Sequence, residues 1–152
     1  MDKKELRKKY KTLRKNLSED TIEEWSLQIA NQLIRLDIWQ HSFYHLFLPI
    51  ESQKEVNTEY ILQVLAGKDK NIVLSKSDFS TREMTHFLLT FDEKGNRVGY
   101  GKGFYDKFLA ECKPEILKIG VSFFEPENII PDVLNTDIQL DLCITPTKVY
   151  NF

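Results

Sequence analysis

The stretch RVGYGKGFYDKF, residues 97–108, gathers the groups most able to do chemistry. Three of the chain's six glycines stand there, at Gly99, Gly101 and Gly103. Glycine admits positive φ and lets a ligand approach the backbone closely. Successive N–H groups can then form an anion-binding nest, and the N-terminus of a following helix adds a positive dipole. Lys102 supplies a mobile positive charge and Arg97 a forked one. Together they suit a polyphosphate. Asp106, in the first turn of the expected helix, would face the same place, and a carboxylate beside phosphates points to Mg²⁺ held between them. A hairpin loop with solvated charges is the competing reading at this point. No G-x-x-x-x-G-K-[ST] run exists, so this is not a Walker loop. In the dinucleotide fingerprint the third glycine would fall where Phe104 stands, which leaves only Glu125, at a strand end, in favour of that motif.

A second concentration is cationic. Eight of the first fifteen residues are Lys or Arg. Lys3 and Arg7 are four apart and share a helix face. On these residues alone, a solvated basic helix is the simpler reading, and an RNA-binding arm is a further one. His45 and His86 lie inside apolar strand patterns and read as packed, hydrogen-bonded side chains, whereas His41 reads as loop surface. Cys112 and Cys143 have no metal-like spacing and read as reduced thiols.

The elements that must position these residues follow from periodicity and punctuation. Residues 2–16 read as a helix with Leu6, Tyr10 and Leu13 on one stripe. Ser18 is an N-cap for a second helix running to about residue 36, with Ile22, Trp25, Leu27, Ile29, Leu33 and Leu36 on its apolar side. FYHLFLP (43–49) reads as a strand ended by Pro49. Thr58 can cap a short helix, EYILQVLAG, closed by Gly67. NIVLSK (71–76) and EMTHFLLTF (83–91) read as strands, DEKGN as a turn, and FYDKFLAEC as a helix. ILKIGVSFF (116–124) and LCIT (142–145) complete the set, the latter as the last strand. Alternating strands and helices predict an α/β fold: three α/β/α layers around a mainly parallel, Rossmann-like central sheet. Ligands in such sheets bind beyond the carboxyl ends of the strands, where the glycine stretch would lie.

Composition sets the outer bounds. With 152 residues, 41% apolar and 29% charged, the chain reads as one globular domain. A net charge of -2 excludes a general polyanion binder. No apolar run approaches the roughly 20 residues needed to span a bilayer, and the N-terminus lacks an apolar signal region. A cytoplasmic monomer, with neither membrane nor nucleic acid as partner, is the expectation.

FDEKGNRVGYGKGFYDKFL resembles the signature of the 5-formyltetrahydrofolate cyclo-ligase (methenyltetrahydrofolate synthetase) family. The matching positions are Phe91, Asp92, Gly95, Arg97, Gly99, Gly101, Gly103, Phe104, Tyr105 and Asp106. KKELR (3–7), EVNT (55–58) and DIQLDLCIT (137–145) agree with further family segments. One departure stands out: members carry an additional segment between the strand like MTHFLL and the Phe-Asp pair. Here Thr90 runs directly into Phe91, so residues 1–152 read as one family-like domain lacking that segment, and THFLLTF must deliver the glycine loop.

The resemblance implies ATP-dependent closure of 5-formyltetrahydrofolate to 5,10-methenyltetrahydrofolate, with ADP and phosphate released and Mg²⁺ as cofactor. It implies that Lys3, Arg7, Arg97, Gly99, Gly101, Lys102, Gly103 and Tyr105 bind ATP, with Arg97 and Lys102 acting in catalysis. Leu48, Glu55, Tyr100 and Phe104 would meet the folate. Asp106 would hold the metal with Asp137, or with Asp141 in its stead. A member that binds nucleotide or folate without turnover is the alternative, and a basic-helix RNA-binding module is another.

Overall fold

The computed structural model describes residues 1–74 and 88–152. Helix α1 (Lys3–Lys15) begins with a reciprocal cap. The Asp2 carboxylate accepts from the Glu5 N–H at 2.8 Å, and the Glu5 carboxylate accepts from the Asp2 N–H at 2.9 Å. Its buried residues are Leu6, Tyr10 and Arg14, a row spaced by four. Leu13, expected on that stripe, is exposed. The row rotates because Arg14 meets a hydroxyl partner inside, as described below, while Leu6 and Tyr10 pack with Leu89, Val98 and Ile130.

Helix α2 (Glu19–Ile34) starts at Ser18, whose hydroxyl accepts from the Thr21 N–H at 3.1 Å. Ile29, Ala30 and Leu33 enter the main core, and Ile22, Trp25 and Leu36 pack at its edge. Leu27, expected to join them, is 45% exposed, because it lies on the opposite side of the helix from Ile29 and Leu33. Helix α3 (Glu59–Gly67) follows Thr58, but the Thr58 hydroxyl does not cap it. That hydroxyl donates to the Phe47 carbonyl at 2.7 Å, and Asn57 Oδ1 accepts from the Glu59 N–H instead, at 3.1 Å. A buried hydroxyl facing a strand-end carbonyl is satisfied there, which frees Asn57 for the helix end.

The strands are short. Strand β1 (Phe43–Leu46) pairs in parallel with β2 (Asn71–Leu74). Strands β3 (Thr90–Phe91) and β4 (Arg97–Val98) form an antiparallel hairpin. After helix α4 (Phe104–Glu111), β5 (Ile119–Val121) pairs in parallel with β6 (Leu142–Ile144). A further strand, β7 (Val149–Asn151), runs antiparallel to β6, so the segment at 142–145 is not the last one. The molecule is an α/β protein, as predicted. A single mainly parallel sheet is not what the described residues form. They build three small sheets, with two parallel and two antiparallel pairings. Connections of a few residues join β3 to β4 and β6 to β7, and such connections cannot make the crossover that parallel pairing needs.

Thr90 and Phe91 are consecutive residues of β3, which leads through the turn into β4 and the glycine loop. The bond from the Leu89 N–H to the Val98 carbonyl, at 2.7 Å, extends the hairpin upstream. The remainder of the predicted strand at 83–91 and of that at 71–76, together with His86, lies outside the described residues. Asp92 organises the turn. Its carboxylate, fully buried, accepts from the N–H groups of Lys94 (3.0 Å), Asn96 (2.9 Å) and Ile130 (3.0 Å) and from the Asn96 amide (3.0 Å). This carboxylate of the Phe-Asp pair is therefore fully engaged in shaping the hairpin. No described helix is long and apolar enough to cross a membrane.

Candidate functional site

Strand β4 ends at Val98 and releases the chain into the glycine loop. Gly101 and Gly103 take φ of +95° and +68°, the left-handed conformations that the sequence anticipates there. Gly103 is also the N-cap of α4, and no side chain caps that end. A Cβ at Gly101 would lie 3.0 Å from Arg7 Cζ, so the bare backbone is what admits the guanidinium. Arg7 Nε donates to the Gly99 carbonyl at 3.0 Å. Helix α1 thus lays its basic face against the loop. Lys102 is exposed in the loop itself.

Around this loop, cations and carboxylates alternate. Arg97 Nη2 donates to Asp106 Oδ1 at 2.6 Å, its Nη1 donates to the Ile138 carbonyl, and its guanidinium lies 4.3 Å from the Tyr105 ring centre. The Ile138 N–H reaches the same Asp106 oxygen at 2.9 Å. Lys3 Nζ pairs with Asp137, and the Lys3 backbone N–H donates to Asp132 at 2.9 Å. Burial pushes the Asp137 carboxyl up, but the bonds from Lys3 and the Leu134 N–H and the charges of Lys3 and Arg97 hold it below its usual value. Six of the predicted residues (Lys3, Arg7, Arg97, Gly99, Asp106 and Asp137) therefore converge.

Asp106 and Asp137 come together through the Asp137–Ile138 segment, and each already holds a cation. Among the described residues no group of three or more His, Cys, Asp or Glu is placed to hold a metal ion. Asp106 Oδ2 and Asp137 Oδ1 accept no hydrogen bond among the described residues. Two such carboxylates, completed by phosphate oxygens, are a donor set that fits Mg²⁺. Asp141 accepts instead from Lys118, by its backbone N–H at 2.7 Å and its Nζ at 2.8 Å.

A second cluster lies under α1. Lys54, left-handed at φ +49°, closes a 3-10 turn (Glu51–Gln53), and its Nζ donates to the carbonyls of Lys15 and Leu17. Glu55 follows, 3% exposed. Its carboxylate accepts from the Tyr100 hydroxyl and the Ile50 N–H, both at 2.6 Å. Burial pushes the Glu55 carboxyl above its ordinary value, while those two bonds and the Arg14 charge pull the other way. Tyr100 is pushed up by burial as well. Arg14 Nη2 donates to the Tyr100 hydroxyl. Sequence reasoning missed Arg14. The signal was its spacing of four from Tyr10, obscured by seven other basic residues nearby.

An apolar cavity of about 420 Å³ opens beside the charged loop, with Arg97 and Tyr105 in its wall. Phe47, Tyr105 and Phe108 pack there with His45, whose ring lies 4.6 Å from Phe47 and 4.8 Å from Phe108. Burial lowers the His45 pKa, in keeping with a packed imidazole. Phe104 is half-buried and lies outside this lining. Leu48 is half-exposed after β1 and also outside it. Four of the eight basic residues near the N-terminus turn inward: Lys3, Arg7, Lys9 (on Glu127, 2.5 Å) and Arg14. That helix is a docked element rather than a wholly solvated one.

These features define an α/β protein with a basic, glycine-built loop next to an aromatic cleft of small-molecule size. The sequence model of the 5-formyltetrahydrofolate cyclo-ligase family matches residues 84–146. A probable 5-formyltetrahydrofolate cyclo-ligase of Schizosaccharomyces pombe is 24% identical over 183 residues, covering 88% of this chain and 89% of that one. The structure of a 5,10-methenyltetrahydrofolate synthetase from Mycoplasma pneumoniae superposes with a TM-score of 0.78 at 25% identity, covering 96% of this chain and 99% of that one. The same enzyme from Aquifex aeolicus gives 0.72 at 25% identity, covering 99% and 93%. In sequence over residues 84–146 and in fold over nearly its whole length, this chain is similar to the 5-formyltetrahydrofolate cyclo-ligases.

Proposed function

We propose that this protein closes 5-formyltetrahydrofolate to 5,10-methenyltetrahydrofolate at the expense of ATP. The formyl oxygen attacks the γ-phosphorus and ADP leaves. Nitrogen 10 then attacks the activated formyl carbon and gives up its proton, and the oxygen departs as phosphate. The protein's part is positioning and charge neutralisation. Lys3, Arg7, Arg97 and Lys102, with the N–H groups of Gly99, Gly101 and Gly103, bind the triphosphate. Tyr105, whose ring centre lies 4.3 Å from the Arg97 guanidinium, joins them at the ATP site. Glu55 accepts hydrogen bonds from pterin N–H donors, with Tyr100, Leu48 and Phe104 around the folate. Asp106 and Asp137 would hold Mg²⁺, which supplies neutralisation of phosphate charge. The observation that carries this reading is Arg7 bonded to the glycine loop, with Arg97 on Asp106 and Lys3 on Asp137.

The chain works as one domain, 1–152, that lacks a segment present in relatives, in a three-layer arrangement and as a cytoplasmic monomer. The alignment with the Schizosaccharomyces pombe protein extends over 183 positions, more than the 152 this chain possesses, which supports an internal shortening. That same observation favours a second reading, a member that binds its ligands without turnover. Incubation with 5-formyltetrahydrofolate and MgATP, followed by methenyl absorbance, separates the two. Wild type is expected to form product, and Lys102→Ala to lose about 10²-fold or more in kcat. Folded wild-type protein that binds both ligands and yields no product above the Lys102→Ala control establishes the second reading.

A further inference from the structure

Arg14 is 5% exposed on a helix whose other basic residues reach solvent, the glycine loop or the carboxylates of Asp137 and Glu127. Burying a guanidinium is costly unless its N–H groups are matched. Here the match is incomplete, since the buried Arg14 Nε has no hydrogen-bond partner. An arrangement serving stability alone would place an apolar residue there. What Arg14 does achieve is directional. Its Nη2 donates to the Tyr100 hydroxyl, whose proton then points to Glu55 Oε1 at 2.6 Å. A hydroxyl has one proton to give. With a lone pair taken by Arg14, that proton is aimed at the carboxylate.

We propose that Arg14 is a positioning residue that orients and holds ionised the Glu55 carboxylate through the Tyr100 hydroxyl, and so sets the affinity of the folate site. This rests on Glu55 being the folate carboxylate. The groups facing Glu55 are few: Tyr100 from the loop after β4, the Ile50 N–H from the loop after β1, and the Arg14 charge from α1. Lys11 Nζ, 5.1 Å from the centre of the Tyr100 ring, is a further cation on Tyr100. Lys54 is turned to the end of α1. After the Tyr100 and Ile50 bonds, the Arg14 charge also opposes burial at Glu55, so its removal moves the proton affinity of that carboxyl upward.

The test is calorimetric binding of 5-formyltetrahydrofolate and, separately, of ATP to wild type, Arg14→Gln, Arg14→Lys, Tyr100→Phe and Glu55→Gln, at pH 6 and pH 8. Arg14→Gln is expected to weaken folate roughly tenfold at pH 6 and less at pH 8, because the carboxyl protonates more readily, with ATP affinity unchanged within about twofold. Arg14→Lys, which keeps a charge and a donor, recovers most of the loss. Tyr100→Phe breaks the relay without touching the charge and weakens folate at both pH values; it keeps the test decisive if Arg14→Gln does not fold. Wild-type folate affinity in either Arg14→Gln or Tyr100→Phe overturns the proposal. So does a parallel loss of folate and ATP binding with a lowered Tm in Arg14→Lys, the mark of a structural clamp. If Glu55→Gln binds folate like wild type, the reading of Glu55 itself fails, and the proposal falls with it.

Discussion

Glu55 is a carboxylate kept where a carboxylate is expensive. Its environment holds the proton more tightly in the folded protein than in the unfolded chain, with burial the largest cause. A raised carboxyl pKa makes the native state the stronger proton binder. Stability therefore falls as pH rises from about 4.5 through the raised value, and stays at the lower level near neutrality. Glu55→Gln carries no such titration. Its Tm relative to wild type should rise across that window, and a Tm difference independent of pH would contradict the assignment. On the proposed function, the folate contact and the stability penalty are two consequences of one buried charge. Glu55 was readable from its place in EVNT. Its environment was not, because Tyr100 and Arg14 stand 45 and 41 residues away from it in the chain.

At the scale of elements, the glycine loop is the part most completely written in local sequence. Three glycines in five residues announce positive φ, and two of them adopt it. Gly101 also has a long-range reason, since Arg7 occupies the space its side chain would need. Gly101→Ala should cost about 1–3 kcal/mol from backbone strain and displacement of Arg7. A urea midpoint would register the loss, and the KM for ATP should rise with it. Unchanged values in both would show that the loop relaxes freely. The helices α1, α2 and α3 were legible to within a residue or two because capping and apolar periodicity are local. The strands were less so. Pairs such as β3 and β4 have two residues each, too few for alternation to register. Strand β7 is defined by its partner β6 and carries little pattern of its own.

For the whole molecule, α1 is the joint between the glycine loop and the Glu55 cluster. It is fastened to the segment after β5 by Lys3–Asp137 and by Glu127, which accepts from Lys9 at 2.5 Å and from the Tyr10 hydroxyl at 2.7 Å. The bonds from Lys9 and Tyr10 hold the Glu127 carboxyl below its usual value, and the Lys3 pairing does the same for Asp137 against burial. Depressed carboxyl pKa values contribute stability that is present above the unfolded values and is lost as pH falls through the folded ones. Wild-type Tm should therefore drop on acidification below about pH 4.5. The double variant Asp137→Asn, Glu127→Gln should be less stable at pH 7 and show a shallower acid decline. An acid limb as steep as that of wild type would place the titration elsewhere.

The sequence by itself determined the local chemistry and the likeness: which residues can turn left-handed, which helices form, and which short signature resembles that of the cyclo-ligases. These depend on neighbours within a few positions. Tertiary structure alone decided which charges meet. It set Arg97 on Asp106, Lys3 on Asp137, Asp92 inside its own turn, and Arg14 under Tyr100. The reason is physical. A charge in a sequence has no partner, and its cost or use is settled only when folding removes its water and supplies a group from another element.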